Sequence, residues 1–254
     1  MKILLIGAGN MGGAMLAGLT EYEVTVVEAY EPRREELARR YPGITLLDSL
    51  PSLEGYVVLL AIKPQSLDSL KTEGRANALI SILAGTPLAK LRERISAKAY
   101  IRAMPNIAAL KRKSVTSVTG DASFKEEALE ILSSIGKAIW LENEKQLDIA
   151  TGIGGSAPAW MALVAEALAD GAVNLGLPRA ISYEYVAALM DGMGALLEEE
   201  HPALLKDKVM SPGGTTAAGY AALEEGGVRS SFIEAMERCY LRSVALGKFQ
   251  DSDR

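Results

Sequence analysis

The chain has 254 residues, 49% of them hydrophobic, with a net charge of -5 and an isoelectric point near 5.2. That balance excludes the basic surface of a nucleic-acid binder, and no apolar run reaches membrane-spanning length. A single cysteine, Cys239, and a single histidine, His201, exclude an internal disulfide and argue against a His/Cys metal site. The N-terminal apolar run is too short for a secretory signal and leads straight into a glycine turn, so a reducing, cytoplasmic setting is expected.

Residues 2–6 are a short apolar run that predicts a buried strand. Gly7, Ala8, Gly9, Asn10, Met11 and Gly12 follow at once, and helical spacing over 13–19 sets Met15, Leu16 and Leu19 on one side. Strand, G-x-G-x-x-G, helix is the context of a dinucleotide-binding turn. Gly7 allows the tight turn, Gly9 lets a pyrophosphate approach the backbone, and Gly12 lets the helix pack on the strand. A glycine-rich turn without a ligand is the bland alternative; the strand and helix on either side favour the nucleotide.

A second strand over 24–27 ends at residues 28–34. An acid there binds the ribose hydroxyls of NAD, and an arginine accommodates the phosphate of NADP. Glu28 or Glu31 would serve the first, Arg33 with Arg34 the second. The arginines would otherwise start the wet face of a helix over 32–41.

Strands follow over 44–47, 56–62, 78–83 and 98–102, with two more over 115–118 and 138–141 around a helix over 125–134. Apolar strands alternating with helical segments predict an α/β doubly wound sheet. Ligands gather at the carboxyl ends of such strands. Residues 7–12, 28–34, 84–86, Ala61 with Lys63 and Pro64, and 104–106 ending at Asn106 should therefore line one edge. Lys63 could serve as a general acid, contact a phosphate, or orient the backbone at Ala61.

From about residue 144 strand signals stop. Helices are predicted over 146–175, 178–200, 215–224 and 228–249. The change of period divides the chain into domains 1–144 and 145–254, the second all-helical. Its broad apolar faces and small residues predict an interface, with a homodimer as the default.

Three stretches in this half carry candidate chemistry. Residues 154–160, Gly-Gly-Ser-Ala-Pro-Ala-Trp, suit close helix packing, or a kink at Pro158 that opens space for a small substrate. Ser211, Pro212, Gly213, Gly214, Thr215 and Thr216 immediately precede a helix. Two glycines and three hydroxyls exceed what an ordinary N-cap needs and suit a small anion such as a carboxylate. His201 closes a charged segment, where a solvated helix end is the usual reading.

Taken together, these blocks resemble the pyrroline-5-carboxylate reductase family over nearly the whole chain. The resemblance rests on residues 6–12, 61–65, 102–106, 155–160 and 209–216. The block at 209–216, followed by Glu224, Gly226, Gly227, Val228 and Arg229, is the most specific. The family usually has glycine where Ala157 stands and an aromatic residue, often tyrosine, at Trp160. The resemblance implies reduction of L-1-pyrroline-5-carboxylate to L-proline, the last step of proline biosynthesis. It implies an N-terminal Rossmann-type domain and a C-terminal helical dimerisation domain, with part of each site supplied by the partner subunit and further assembly of dimers. It places the substrate carboxylate on Ser211, Gly213, Gly214, Thr215 and Thr216, with Thr216 near the imine nitrogen.

The residues agree with that chemistry. A protonated imine accepts hydride without a strong protein acid, so a chain with one histidine can catalyse the step by orientation. The expected cofactor is NADPH, with NADH possible. A β-hydroxyacid dehydrogenase shares the two-domain plan but needs a base for alcohol oxidation, and residues 160–165 offer no lysine. A reductase of another cyclic imine, or a non-catalytic NAD(P) sensor, are the remaining readings.

Overall fold

The computed structural model describes residues 1–249. Residues 250–254, the tail of the expected second domain, lie outside the described residues. An eight-stranded sheet runs in the order β3-β2-β1-β4-β5-β6-β7-β8. Its strands are β1 (Lys2–Ile6), β2 (Glu23–Val27), β3 (Thr45–Leu47), β4 (Val57–Leu60), β5 (Ala78–Ser81), β6 (Tyr100–Met104), β7 (Ser114–Gly120) and β8 (Gly136–Trp140). The first six are parallel; β7 runs antiparallel to β6, and β8 parallel to β7.

The connections dictate those directions. A 3-10 turn, Ile107–Lys111, joins β6 to β7 and is too short for a crossover, so the chain must reverse. Helix α4 (Lys125–Ser133) carries β7 to β8 and restores parallel pairing. Side chains along β1 alternate between two cores. Ile3 and Leu5 face α1 (Asn10–Leu16), α2 (Glu31–Arg40) and α4, while Leu4 and Ile6 face the layer holding α3 (Leu88–Arg94). A strand covered on both faces has no polar side, which is why these runs read as continuously apolar.

Helix α1 begins at Asn10, three residues before the spacing of 13–19 suggests, because Gly9 is already its N-cap. The single helix expected over 146–175 is broken. Helix α5 (Glu144–Thr151) passes through a π-helical turn, Gly152–Ser156, into α6 (Ala157–Asn174). Glycine lacks the side chain that would stiffen such a stretch, and Pro158 lacks the N–H that an α-helix would send to the Gly154 carbonyl. Then come α7 (Arg179–Glu199), α8 (Pro202–Val209), α9 (Thr215–Glu225) and α10 (Val228–Phe249). Helix α8 escapes the apolar spacing. Its signal is Pro202 in the first turn, and His201 caps it by accepting the Ala203 N–H on Nδ1 at 3.2 Å.

The chain divides into two compact units, Met1–Ser156 with the described residues from Arg238 onward, and Ala157–Glu237. In the first, Ser156 Oγ lies 3.1 Å from Cys239 Sγ. The second has a thin core centred on Ala169, Val186 and Leu205, while Leu163, Tyr185, Leu189 and Ile233 stand at least half exposed. Apolar helix faces of this extent, not covered within the unit, mark an association surface. Among the described residues, no helix is long and apolar enough to cross a membrane.

Candidate active site

The glycine turn at the end of β1 is built for a close visitor. Gly7 has φ +88°, and a side chain there would press on the Ala61 carbonyl oxygen at 2.8 Å. A side chain on Gly12 would collide with the Gly7 carbonyl oxygen, so this glycine lets α1 sit on the turn. Gly9 is different: its φ is -62° and a Cβ would meet nothing within 4 Å. The chain itself does not require a glycine at that point, which leaves open space above the backbone. No side chain caps α1, so the first-turn N–H groups of Asn10, Met11 and Gly12 face outward at the positive end of the helix. This combination fits the diphosphate of a dinucleotide.

Beside the turn is a groove of about 640 Å³ lined by Gly9, Asn10, Glu28, Tyr30, Pro32, Arg33, Glu36 and Lys63. Glu28 sits one residue beyond β2. Its carboxylate accepts the Ala8 N–H at 2.9 Å and the Tyr30 N–H at 3.0 Å, which pins it against the glycine turn. Arg33 lies across the same turn, with Nε donating to the Ala8 carbonyl at 2.8 Å and Nη1 paired with Glu36 at 2.6 Å. Arg34 points elsewhere: its Nη1 donates to the carbonyls of Glu28 and Ala29 at 2.7 and 2.8 Å. Of the expected residues, the structure thus brings Gly9, Asn10, Glu28, Arg33 and Lys63 to the groove and leaves Glu31 and Arg34 out of its wall. Glu36 enters unanticipated. Its position three residues after Arg33 on a helix was the signal for that pair.

Ala61 follows β4, and its N–H donates to the Ile6 carbonyl at 2.8 Å, setting it beside the turn. Lys63 is exposed and precedes a 3-10 turn that starts at Pro64. Asn106, at the end of β6, is 7% exposed and fully engaged. Its backbone N–H meets Ser114 Oγ at 3.0 Å, its Oδ1 accepts the Ala108 N–H at 3.0 Å, and its Nδ2 donates to the Gly154 carbonyl at 2.8 Å. Nearby, buried Arg102 of β6 pairs with Glu144 at 2.7 Å and Asp148 at 3.2 Å on α5. Strand β6 therefore holds both α5 and the π-helical turn. A side chain on Gly154 would meet Val115 only at ordinary contact, 3.5 Å, and one on Gly155 would meet Thr151 at 3.4 Å. Close packing within the chain does not account for those two glycines.

In the second unit, residues 211–216 form the approach to α9. Gly213 has φ +70°, and the Gly214 N–H closes a turn on the Ser211 carbonyl at 3.1 Å. A side chain on Gly214 would collide with Ser211 Oγ. Gly214 is the N-cap of α9, and despite three hydroxyls nearby no side chain caps the helix. Ser211, Thr215 and Thr216 are exposed. The first N–H groups of α9 and the hydroxyls around them are thus available together, which is what a small carboxylate needs. Farther along α9, Glu224 accepts from Tyr220 of the same helix and from Arg229 of α10, and these bonds, Arg229 first, pull its carboxyl down to about 2. Asp170 pairs with Arg179 between α6 and α7, so it serves the unit's own hairpin.

A family model described as pyrroline-5-carboxylate reductase dimerisation matches residues 144–246, and one described as NADP oxidoreductase, coenzyme F420-dependent, matches residues 2–85. The pyrroline-5-carboxylate reductase of Synechocystis is 40% identical, covering 98% of this chain and 99% of its own length. The solved 1-pyrroline-5-carboxylate reductase of Streptococcus pyogenes superposes with a TM-score of 0.84 at 29% identity, over 96% of this chain and 98% of that one. The Plasmodium falciparum pyrroline carboxylate reductase, solved with NADP bound, superposes with a TM-score of 0.78 at 25% identity, over 97% of this chain and all of that one. With a full-length relative at 40% identity, the chain belongs to the pyrroline-5-carboxylate reductase family.

Proposed function

We propose that the protein reduces L-1-pyrroline-5-carboxylate to L-proline, the last step of proline biosynthesis, with NADPH preferred over NADH. The observation that carries this reading is the uncapped start of α9, where Ser211, Thr215 and Thr216 surround free N–H groups. A helix that leaves three nearby hydroxyls unused for capping offers them to a ligand, and its positive end selects an anion. Ser211, Gly213, Gly214, Thr215 and Thr216 take the substrate carboxylate in this reading.

The nicotinamide cofactor, when bound, supplies the hydride that adds to the imine carbon. The chain's residues bind and orient. Gly7, Gly9, Asn10, Met11 and Gly12 receive the pyrophosphate. Arg33 and Lys63 supply positive charge for the NADP phosphate, with Ala61, Pro64 and Asn106 toward the nicotinamide end. Glu31 and Arg34 complete the cofactor-binding set, with Arg34 held on the Glu28 and Ala29 carbonyls. Hydride addition to the protonated imine returns the C=N electron pair to nitrogen and neutralises its positive charge. Because the nitrogen already carries its proton, the ring becomes a secondary amine; the Thr216 hydroxyl hydrogen-bonds that nitrogen.

In this reading the functional domains are residues 1–144 and 145–254, supported by a dimerisation model that begins at residue 144. The exposed apolar faces of the helical unit support a homodimer, and the single cysteine supports a reducing, cytoplasmic setting. The test is cofactor oxidation followed by absorbance, with NADPH and with NADH, against pyrroline-5-carboxylate, a 2-keto acid and no substrate. Turnover confined to the imine, and a higher kcat/KM with NADPH, is the expected result. Turnover with the 2-keto acid alone would overturn the assignment.

A further inference from the structure

Helix α9 carries Thr216, Tyr220 and Glu224 four residues apart, so all three lie along one face. Tyr220 Oη donates to Glu224 Oε1 at 2.5 Å and accepts from Arg229 Nη2 at 2.5 Å. Arg229 Nε reaches both oxygens of Glu224, at 3.0 and 3.3 Å. From the other side, Lys206 of α8 sits 5.4 Å from the centre of the Tyr220 ring. The helices flanking α9 in sequence therefore both grip it through one residue, Tyr220, a single turn below Thr216.

Within one chain, burial does not fix the rotation of α9: among its eleven residues none is buried against the rest of the chain. Isolated exposed ion pairs contribute little, but a bidentate arginine within a network is the exception. Arg229 follows the turn at Gly227, φ +71°, that joins α9 to α10.

We propose that Tyr220, Glu224 and Arg229 are positioning residues for the substrate seat: their network sets the rotation of α9 and so the aim of the Thr216 hydroxyl and the helix N-terminus. None of the three touches substrate. The inference rests on the assignment of residues 211–216 as the carboxylate seat. Misplacing a catalytic group by about 1 Å is enough to cost on the order of 100-fold in rate, so a small rotation has a large effect on the imine and none on the cofactor.

The experiment uses the full-length protein and the variants Tyr220→Phe, Glu224→Gln and Arg229→Lys. Tyr220→Phe keeps the ring beneath Lys206 and removes only the hydroxyl. For each, kcat and KM are measured for pyrroline-5-carboxylate and for NADPH, with oligomer mass by light scattering and the melting temperature. Tyr220→Phe and Glu224→Gln should each lower kcat/KM for the imine about 10-fold, with the KM for NADPH and the oligomer mass unchanged. Arg229→Lys keeps the charge and should fall between them and wild type. Tyr220→Phe combined with Glu224→Gln should be no worse than the poorer single variant, because both act through one network. Wild-type kinetics in both single variants would overturn the proposal. So would a parallel rise in the KM for NADPH, or a loss that tracks dissociation of the oligomer. A wild-type enzyme inert toward the imine would instead overturn the assignment of the seat, and that result is read before any variant is made.

Discussion

The Nδ2 of Asn106 donates to the carbonyl oxygen of Gly154 at 2.8 Å, and Pro158, four residues on, is unable to serve that carbonyl as an α-helix would. The side chain of one element thus gives that carbonyl a donor where proline offers none, and a buried carbonyl left without any partner costs about 1–3 kcal/mol.

Asn106→Asp keeps the acceptor for the Ala108 N–H and loses the donor to Gly154. It should destabilise the protein by about 2 kcal/mol in a denaturant titration and lower turnover. Adding Pro158→Ala supplies a backbone N–H at the position that wants one, so the double variant should regain part of the lost stability. Strictly additive losses would disconnect the two residues.

Gly9 and Gly12 should separate binding from folding. Gly12→Ala forces a methyl into the Gly7 carbonyl and should cost about 1–3 kcal/mol of stability. Gly9→Ala has an ordinary backbone conformation and open space, so its melting temperature should hold. Its methyl occupies the approach to the backbone, and the KM for NADPH should rise about 10-fold, a loss of roughly 1.4 kcal/mol in binding. Normal cofactor binding by Gly9→Ala would contradict the placement of the pyrophosphate.

Arg33 has two tasks that one substitution divides. Its Nε holds the Ala8 carbonyl and its Nη1 holds Glu36, beside the groove where we propose that it meets a 2′-phosphate. Arg33→Met should raise the KM for NADPH about 10-fold more than that for NADH. Equal effects on both cofactors would make Arg33 a brace for the glycine turn alone.

Arg102 is 4% exposed and faces two carboxylates. Arg102→Met leaves Glu144 and Asp148 without their cation, and because both are partly solvated the loss should be about 3 kcal/mol, at the lower end for a broken buried pair. Restoring neutrality by adding Glu144→Gln and Asp148→Asn to Arg102→Met should recover much of it. A glutamine side chain at that position still accepts the Leu88 N–H that Glu144 now takes at 2.9 Å. A triple variant no more stable than Arg102→Met would mean that packing, and not charge, made the loss.

What the sequence reveals and what it hides follow from the range of the forces. The parallel strands are legible because burial on both faces removes polar residues from runs such as Val57–Leu60. The glycine turn is legible because its demands are local: a positive φ at Gly7 and a close approach at Gly12. The reversal at β7 follows from a connection length that strand spacing alone does not weigh. The π-helical turn is hidden, since its stabilising partner, Asn106, lies 48 residues away in sequence. For the same reason Arg33 and Arg34 look equivalent as neighbours, yet one turns to the groove and the other to the carbonyls of Glu28 and Ala29. The seat proposed at residues 211–216 is readable as an excess of hydroxyls, but only the fold shows that none of them caps α9.

Thr216 is the most exacting test of the chemistry. It is exposed in the first turn of α9 and makes no capping bond, so removing its hydroxyl disturbs no packing within the chain. Alanine is also the better helix former by a few tenths of a kcal/mol, and Thr216→Ala should therefore melt at or slightly above the wild-type temperature. If the hydroxyl stabilises charge at the imine nitrogen, kcat should fall at least ~10-fold, about 1.4 kcal/mol of barrier, while NADPH binding persists. Thr216→Ser retains the hydroxyl without the methyl and should return most of the rate. Thr216→Val retains the shape without the hydroxyl and should behave as alanine does in kcat. An alanine variant with unchanged kcat would remove Thr216 from the mechanism and leave the substrate to the backbone N–H groups of that turn.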